Sequence, residues 1–347
     1  MRAAKSAWVS AWPIPAKPML ANVWVEFAFA VLLIGVAGSR LSQYGDRIAL
    51  RTGLGEKRVG LFLLATVTSL PELAIGISAV TLADAPDIAV GAVLGSCVFN
   101  LAIIVLLDFL LRSETVYVRV SRDHVLSAGF GVILIGVVAF NVALGTNGGI
   151  PAIGHVGLYV PILLCIYVIA ARALSNVETA EEDVEPERQT ARAPWLQFSL
   201  AAVVVVAAGI WLPFVGERLA VTLGVDETFV GTLFLAFATS LPETVVTVAA
   251  LRIGAFDMAF ANLFGSNLVN ILILVPEDLL YSEGPILAAV SPLHTVSGIS
   301  AMVMTSIAIV SLLYRPERRV WHGISWASLF LLMIYLLNSY VIYLYGR

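Results

Sequence analysis

Apolar runs, each about as long as a lipid bilayer is thick, dominate this chain. A spanning helix needs about 20 mostly apolar residues. Ten runs meet that length, near 23–43, 58–82, 87–111, 124–144, 153–174, 196–220, 228–251, 257–280, 292–314 and 322–345. One long hydrophilic stretch, SNVETAEEDVEPERQTARAP, separates the fifth run from the sixth. It is too short and too charged to fold alone and reads as a linker. The pattern predicts an all-α polytopic membrane protein with a tail over 1–22, a first five-helix repeat over 23–174, a linker over 175–195 and a second five-helix repeat over 196–347.

Composition supports lipid as part of the solvent. The 347 residues are 59% hydrophobic and 13% charged, with mean hydropathy +0.93. Soluble domains carry about 25% charged residues. The net charge of −4 gives no attraction to nucleic acid. Two cysteines, Cys97 and Cys165, lie in apolar runs and form neither a disulfide framework nor a zinc site. The N-terminal segment is broken by Pro13 and Pro15, so it makes a poor signal peptide.

Basic residues in short loops set orientation. With ten spans, 5 of the 20 Lys and Arg fall on the side of the termini and 15 on the side of the linker. Both termini are therefore expected outside and the central linker in the cytoplasm, with the chain in the plasma (inner) membrane.

The chain repeats itself. Residues 65–73 read ATVTSLPEL and 236–244 read AFATSLPET; residues 95–100 read GSCVFN and 265–270 read GSNLVN. Glu72 precedes Ser96 by 24 positions and Glu243 precedes Ser266 by 23. Because five spans is an odd number, the second copy enters the membrane from the opposite side. This is the inverted repeat common in secondary transporters, whose site lies near the midplane.

The repeated residues suit a cation. Proline has no N–H to give to the preceding turn, so it breaks or kinks the helix and frees carbonyls. Bare backbone at that depth needs protein or a wet cavity around it. Glu72 and Glu243 follow the prolines, and an ionised carboxylate in a bilayer costs at least ~2.5 kcal/mol. Thr68, Ser69, Thr239 and Ser240 stand three or four residues earlier, on the same helical face. Ser96 and Asn100, and Ser266 and Asn270, share a face likewise. All these donors are oxygen, which hard cations prefer. Gly95 and Gly265 would let helices approach closely.

Singly, each residue has a plainer role: a kink, a packing contact, an interhelical hydrogen bond. The doubled constellation at matched spacing favours an ion site. Asp108 and Asp278, each eight residues after its Asn, read either as the ends of spans or as a second acidic ring, the first being preferred. Eight acids, Glu277 among them, are assigned to the outward loops.

At this point the residues resemble a known family. T-S-L-P-E and G-S-x-x-x-N in each of two inverted five-helix halves look like the calcium/cation antiporter superfamily, in its sodium/calcium exchanger membrane-region branch. The resemblance implies ten helices, broken in the second, third, seventh and eighth spans. It implies Glu72 and Glu243 as central Ca²⁺ ligands, flanked by Asn100 and Asn270. Thr68, Ser69, Ser96, Thr239, Ser240 and Ser266 would line calcium and sodium sites, and the first and sixth spans would slide to alternate access. Several family members carry Asp where this chain has Asn270. Two ionised glutamates balance one Ca²⁺, two Na⁺ or two H⁺.

The expected function is secondary antiport of Ca²⁺, or a similar cation, for Na⁺, with transported ions and no cofactor. A cation/H⁺ exchanger on the same scaffold is the alternative, and a cation channel is less favoured. An enzyme is not expected: His124, His155, His294 and His322 lie outside the motif spans and do not repeat, so Ser69 and Ser240 lack a base. Oligomeric state is not legible.

Overall fold

The computed structural model describes residues 20–52, 65–111, 114–145, 149–178, 195–316, 318–321 and 323–346. Most of the expected tail, the first part of the expected second span and most of the expected linker lie outside these residues. Seven described helices are long and apolar enough to cross a membrane. They are α1 (Leu20–Thr52), α4 (Pro86–Leu110), α6 (His124–Gly145), α8 (Trp195–Leu223), α12 (Phe256–Leu280), α14 (His294–Tyr314) and α15 (Trp326–Tyr345). The chain is thus an integral membrane protein.

An eighth span is a bent pair, Glu227–Thr239 and Leu241–Arg252, with 45° between its arms. It contains α9 (Glu227–Phe229), a π-helical segment (Val230–Leu235), α10 (Ala236–Thr239) and α11 (Leu241–Arg252). Two shorter apolar helical stretches fall at the expected second and fifth spans. The first is α3 (Leu70–Ser78), preceded by α2 (Ala65–Thr68) and continued by a π-helical segment (Ala79–Ala83); the second is α7 (Tyr159–Glu178). Short helices α5 (Val116–Arg119) and α13 (Ile286–Ala289) complete the helical set.

Three sequence expectations need correction. The helices are joined by two small antiparallel hairpins, β1–β2 (Ala152–Ile153, Val156–Gly157) and β3–β4 (Arg319–Trp321, Ile324–Ser325). They delay the starts of the last helix of each half to Tyr159 and Trp326. Gly154 and Gly323, at φ +66° and +108°, make the tight turns possible. Second, α4 and α12 run without interruption, whereas the resemblance implied breaks in both. Neither carries proline at its Gly-Ser motif. Gly95 serves close approach instead, because a Cβ there would stand 2.7 Å from Thr232 Cα. Third, two of the histidines do repeat, as shown next.

Contacts recur with the halves exchanged. In the first half Asp108 accepts from Val116 N (3.0 Å), Ser325 N (2.7 Å) and Ser328 Oγ (2.7 Å). In the second, Asp278 accepts from Ile286 N (2.7 Å), Gly157 N (2.9 Å) and Tyr159 Oη. Asp257 receives Ser121 N (2.7 Å) and faces His124 Nε2 (3.2 Å). Asp87 receives Ser291 N (2.7 Å) and faces His294 Nε2 (3.0 Å). Each His follows its half's motif Asn by 24 residues.

Helices α4 and α12 form the centre. Their apolar windows are 78% and 89% buried, against 28–50% for the other five long helices. The outer helices present Phe29, Phe140, Leu200, Ile299 and Phe330 outward, where lipid supplies the apolar environment. Helices α1 and α8 pack on each other, with Leu41, Val67, Ala201 and Val205 forming a small core of their own. Each also crosses the break of the other half. Gly35 and Gly38 of α1 lie on Leu241 and Pro242, and Gly209 of α8 lies on Ala74 and the Pro71 carbonyl.

Candidate ion site

The two breaks are alike. Ser69 (φ −84°, ψ 8°) separates α2 from α3, and Ser240 (φ −81°, ψ 9°) separates α10 from α11. Both lie in the sparsely populated bridge region. Pro71 and Pro242 are the second residues of the following helices, where a missing N–H costs nothing and a fixed φ helps initiation. The proline thus starts the second helix, while the serine carries the bend. Each proline still removes the donor that would close on the carbonyl four residues back, at Val67 and Ala238.

This geometry puts opposite helix ends side by side. Short α2 and α10 end in carbonyls at the break, and α3 and α11 begin there. Glu72 and Glu243 stand in the first turns of α3 and α11. The positive end of a helix dipole favours a carboxylate at that position. Neighbouring carbonyls favour a cation.

All ten predicted site residues are buried: Thr68, Ser69, Glu72, Ser96, Asn100, Thr239, Ser240, Glu243, Ser266 and Asn270 are each at most 1% exposed. Hydroxyls from one half reach the other. Thr68 Oγ1 lies 3.2 Å from Ser266 Oγ, and Ser96 Oγ lies 3.3 Å from Thr239 Oγ1. Ser96 Oγ donates to Glu72 Oε1 at 3.2 Å. Thr239 and Ser240 stand beside the same carboxyl, while Thr68 and Ser266 stand beside Glu243. The two carboxyls are themselves near enough to interact.

Many of these polar atoms are left without a partner in hydrogen-bond geometry. They include Glu72 Oε2, both oxygens of Glu243, the hydroxyls of Ser69 and Ser240, Asn100 Oδ1 and both amide atoms of Asn270. A buried polar group with no partner costs about 1–3 kcal/mol, and more when charged. Carboxyl, hydroxyl and amide oxygens left without partners are groups that a hard cation would satisfy. Among the described residues no three His, Cys, Asp or Glu side chains converge. A cation here would therefore be held by two carboxylates supplemented by hydroxyl, amide and backbone oxygen, which is hard-cation chemistry.

Asn100 and Asn270 differ despite matched positions. Asn100 Nδ2 donates to Asn267 Oδ1 at 3.0 Å, and Asn267 Nδ2 donates to the Cys97 carbonyl at 3.3 Å. Asn270 lies beside the Cys97 thiol. Asn267 was missed in the sequence, although its place as the third residue of GSNLVN, against Cys97 in GSCVFN, is the signal that marks it. Asn262, which donates to Thr247 Oγ1 at 3.1 Å, was also missed.

The preferred reading of Asp108 and Asp278 as span-end residues is sharpened, and the assignment of Glu277 changes. Asp108 and Asp278 are fully buried acceptors that tie loops to helix ends, and their hydrogen-bond partners are N–H or O–H donors. They form no acidic ring. Glu277, read as a loop acid, is fully buried within α12. The helix continues to Leu280 because Pro276 bends no break into it.

Fold and motif residues together define an integral membrane protein in which two buried glutamates lie among the buried hydroxyl and amide groups of both motif copies. The profile described as "Sodium/calcium exchanger protein" matches residues 22–170 and 193–345. The chain belongs to that family. It is 26% identical over 302 residues to the inner membrane protein YrbG of Escherichia coli K12, across 85% of this chain and 89% of that protein. It is 29% identical over 355 residues to the sodium/calcium exchanger MaX1 of Methanosarcina acetivorans, across 88% and 96%. The solved H⁺/Ca²⁺ exchanger CAX shares the fold with a TM-score of 0.67 at 14% identity, across 98% of this chain and 88% of that one.

Proposed function

We propose that this chain is a secondary antiporter that exchanges Ca²⁺ for Na⁺ by alternating access at the Glu72–Glu243 site. The carrying observation is the pair of buried carboxyls that have no basic partner among the described residues, and Glu243 has both oxygens unpartnered. A bare pair of charges in a dry core is costly to move, so the site moves only when loaded. One Ca²⁺ or two Na⁺ neutralises it. Either load can cross, and the two compete, which is the requirement of exchange.

Ten spans in two inverted repeats are the architecture we assign, over 23–174 and 196–347, with the linker cytoplasmic and both termini outside. The family profile's two matched segments and the contacts that recur with halves exchanged support it. Helices α1 and α8 are the moving pair in this reading. Each packs on the other more than on any other single element, and each touches a break through glycines.

The test is uptake of radiolabelled Ca²⁺ into proteoliposomes, with outward gradients of Na⁺ and of H⁺ imposed separately. Uptake under the Na⁺ gradient alone is the expected result. Uptake driven only by H⁺ would replace Na⁺ by protons on the same two carboxylates. Uptake driven by neither, with unitary currents in a clamped bilayer, would make the chain a channel.

A further inference from the structure

Glu277 is a third buried carboxyl that the exchange site does not use. It is 0% exposed, and neither oxygen has a partner in hydrogen-bond geometry. It packs on α3 at Gly76, where a Cβ would overlap Glu277 Oε1. Gly76 lies four residues after Glu72 in the same helix, one turn or ~6 Å along its axis. On its own helix Glu277 follows Asn270 by seven residues, two turns on the same face. It therefore stands beyond Glu72, next to the site but outside it.

Its neighbour Asp278 is occupied by Gly157 N, Ile286 N and Tyr159 Oη and offers it no donor. Pro276 lacks the N–H that would close on the Leu272 carbonyl, one turn earlier on α12. The other half has no counterpart. Leu107 stands where Glu277 would be, just before Asp108, and Thr247 stands where Gly76 would be, with Asn262 bonded to it. The extra carboxyl thus lies on one side of the central pair alone, the outer side in the orientation proposed above.

We propose that Glu277 binds a second, monovalent cation, Na⁺ by its chemistry, one turn outward of the Glu72–Glu243 site. A single carboxylate with few further oxygens falls short of the 6–8 ligands that Ca²⁺ takes, and its single charge matches a monovalent ion. The notch at Gly76 gives the carboxyl its place. This inference rests on Na⁺-coupled exchange at the central pair. It predicts that one more Na⁺ is bound per cycle than the two central carboxylates can balance.

The experiment measures ²²Na⁺ efflux per ⁴⁵Ca²⁺ taken up in proteoliposomes, with the Hill coefficient for Na⁺, in wild type and Glu277→Gln. The expected result is a drop of about one in both the flux ratio and the Hill coefficient. Gly76→Ala, which displaces the carboxyl without removing it, should move both quantities the same way, and it carries the test if Glu277→Gln does not fold. Unchanged ratio and Hill coefficient in the folded variants would overturn the proposal, as would a wild type that Na⁺ does not drive. The underlying site is read separately. If Glu72→Gln leaves ⁴⁵Ca²⁺ uptake intact, the central reading falls whatever Glu277 does.

Discussion

Gly38 of α1 lies against the ring of Pro242, at the break of the opposite half, with no room between them for a methyl group. The contact joins the helix proposed to move to the helix that holds Glu243. A side chain at position 38 has to push against a rigid five-membered ring. Overpacking of this kind costs about 1–3 kcal/mol. Gly38→Ala should therefore slow exchange at least about fivefold while leaving the Ca²⁺ dissociation constant within about threefold, because it obstructs movement and not the ligands. Gly129→Ala is the control, since nothing lies within 4 Å of a Cβ there. Equal turnover in the two variants, measured at saturating Ca²⁺, would show that α1 does not slide over this break.

Glu243 is the sharper of the two acids to test, because neither oxygen has a partner. Removing an uncompensated buried charge relieves strain in the empty protein. Glu243→Gln should raise the melting temperature of the ion-free protein by a few degrees. It should also abolish the stabilisation by Ca²⁺, which for wild type reaches about 2.7 kcal/mol at a hundredfold excess over Kd. Glu72→Gln should lose exchange as completely, but it keeps an oxygen able to accept from Ser96 and should change the ion-free melting temperature less. Melting curves with and without Ca²⁺ decide both points. A Glu243→Gln protein that still gains stability from Ca²⁺ would exclude a shared two-carboxylate site.

The motif residues were legible because repetition marked them. Thr-Ser-Leu-Pro-Glu occurs twice at matched spacing, and all ten predicted ligands prove to be buried. The roles of Asp108, Asp278 and Glu277 were not legible. Sequence places all three near helix ends, where a solvated acid and a buried one look alike. What separates them is what folds over them: a hairpin and a short helix cover Asp108 and Asp278, and α3 covers Glu277. The Asp87–His294 and Asp257–His124 pairs were hidden for a related reason. The two His recur 24 residues after their Asn, but the segments around them, SRDH and SPLH, share only their first and last residues. The implied breaks in α4 and α12 failed because no proline interrupts the Gly-Ser motif.

Asp108 and Asp278 should behave as structural acceptors. Each carboxylate takes two backbone N–H groups and a hydroxyl. Asn in either place keeps one oxygen and turns an amide NH₂ toward donors. Hydrogen bonds to a charged group contribute about 1.5–3 kcal/mol each, so losing one and leaving a donor unpaired should cost about 2–4 kcal/mol. Asp108→Asn and Asp278→Asn should lower the melting temperature by similar amounts, as their matched surroundings require. The Ca²⁺ affinity of the folded fraction should stay within about twofold. A tenfold loss of affinity without loss of stability would restore the acidic-ring reading.

The hydroxyl pairs that cross between the halves give the most direct test of how the site is built. Ser96 Oγ and Thr239 Oγ1 are 3.3 Å apart beside Glu72, and Thr68 Oγ1 and Ser266 Oγ are 3.2 Å apart beside Glu243. Residues in contact show coupling energies of about 0.5–3 kcal/mol in double-mutant cycles, whereas independent sites add. The cycle Ser96→Ala with Thr239→Val, read as Ca²⁺ binding free energy, should give coupling of about 1 kcal/mol. The cycle Thr68→Val with Ser266→Ala should give a similar value. Pairing Ser96→Ala with Ser266→Ala joins two hydroxyls that belong to different carboxyls, and its coupling should be smaller. That order follows from the geometry alone: each carboxyl is dressed by a hydroxyl of its own half and one of the other. Equal coupling in all three cycles would mean that the hydroxyls act through one bound ion held in common, not through their direct contacts. Additivity throughout would mean that they do not hold the ion at all, leaving the carboxylates and the carbonyls of Val67 and Ala238, which Pro71 and Pro242 cannot bond, as its ligands.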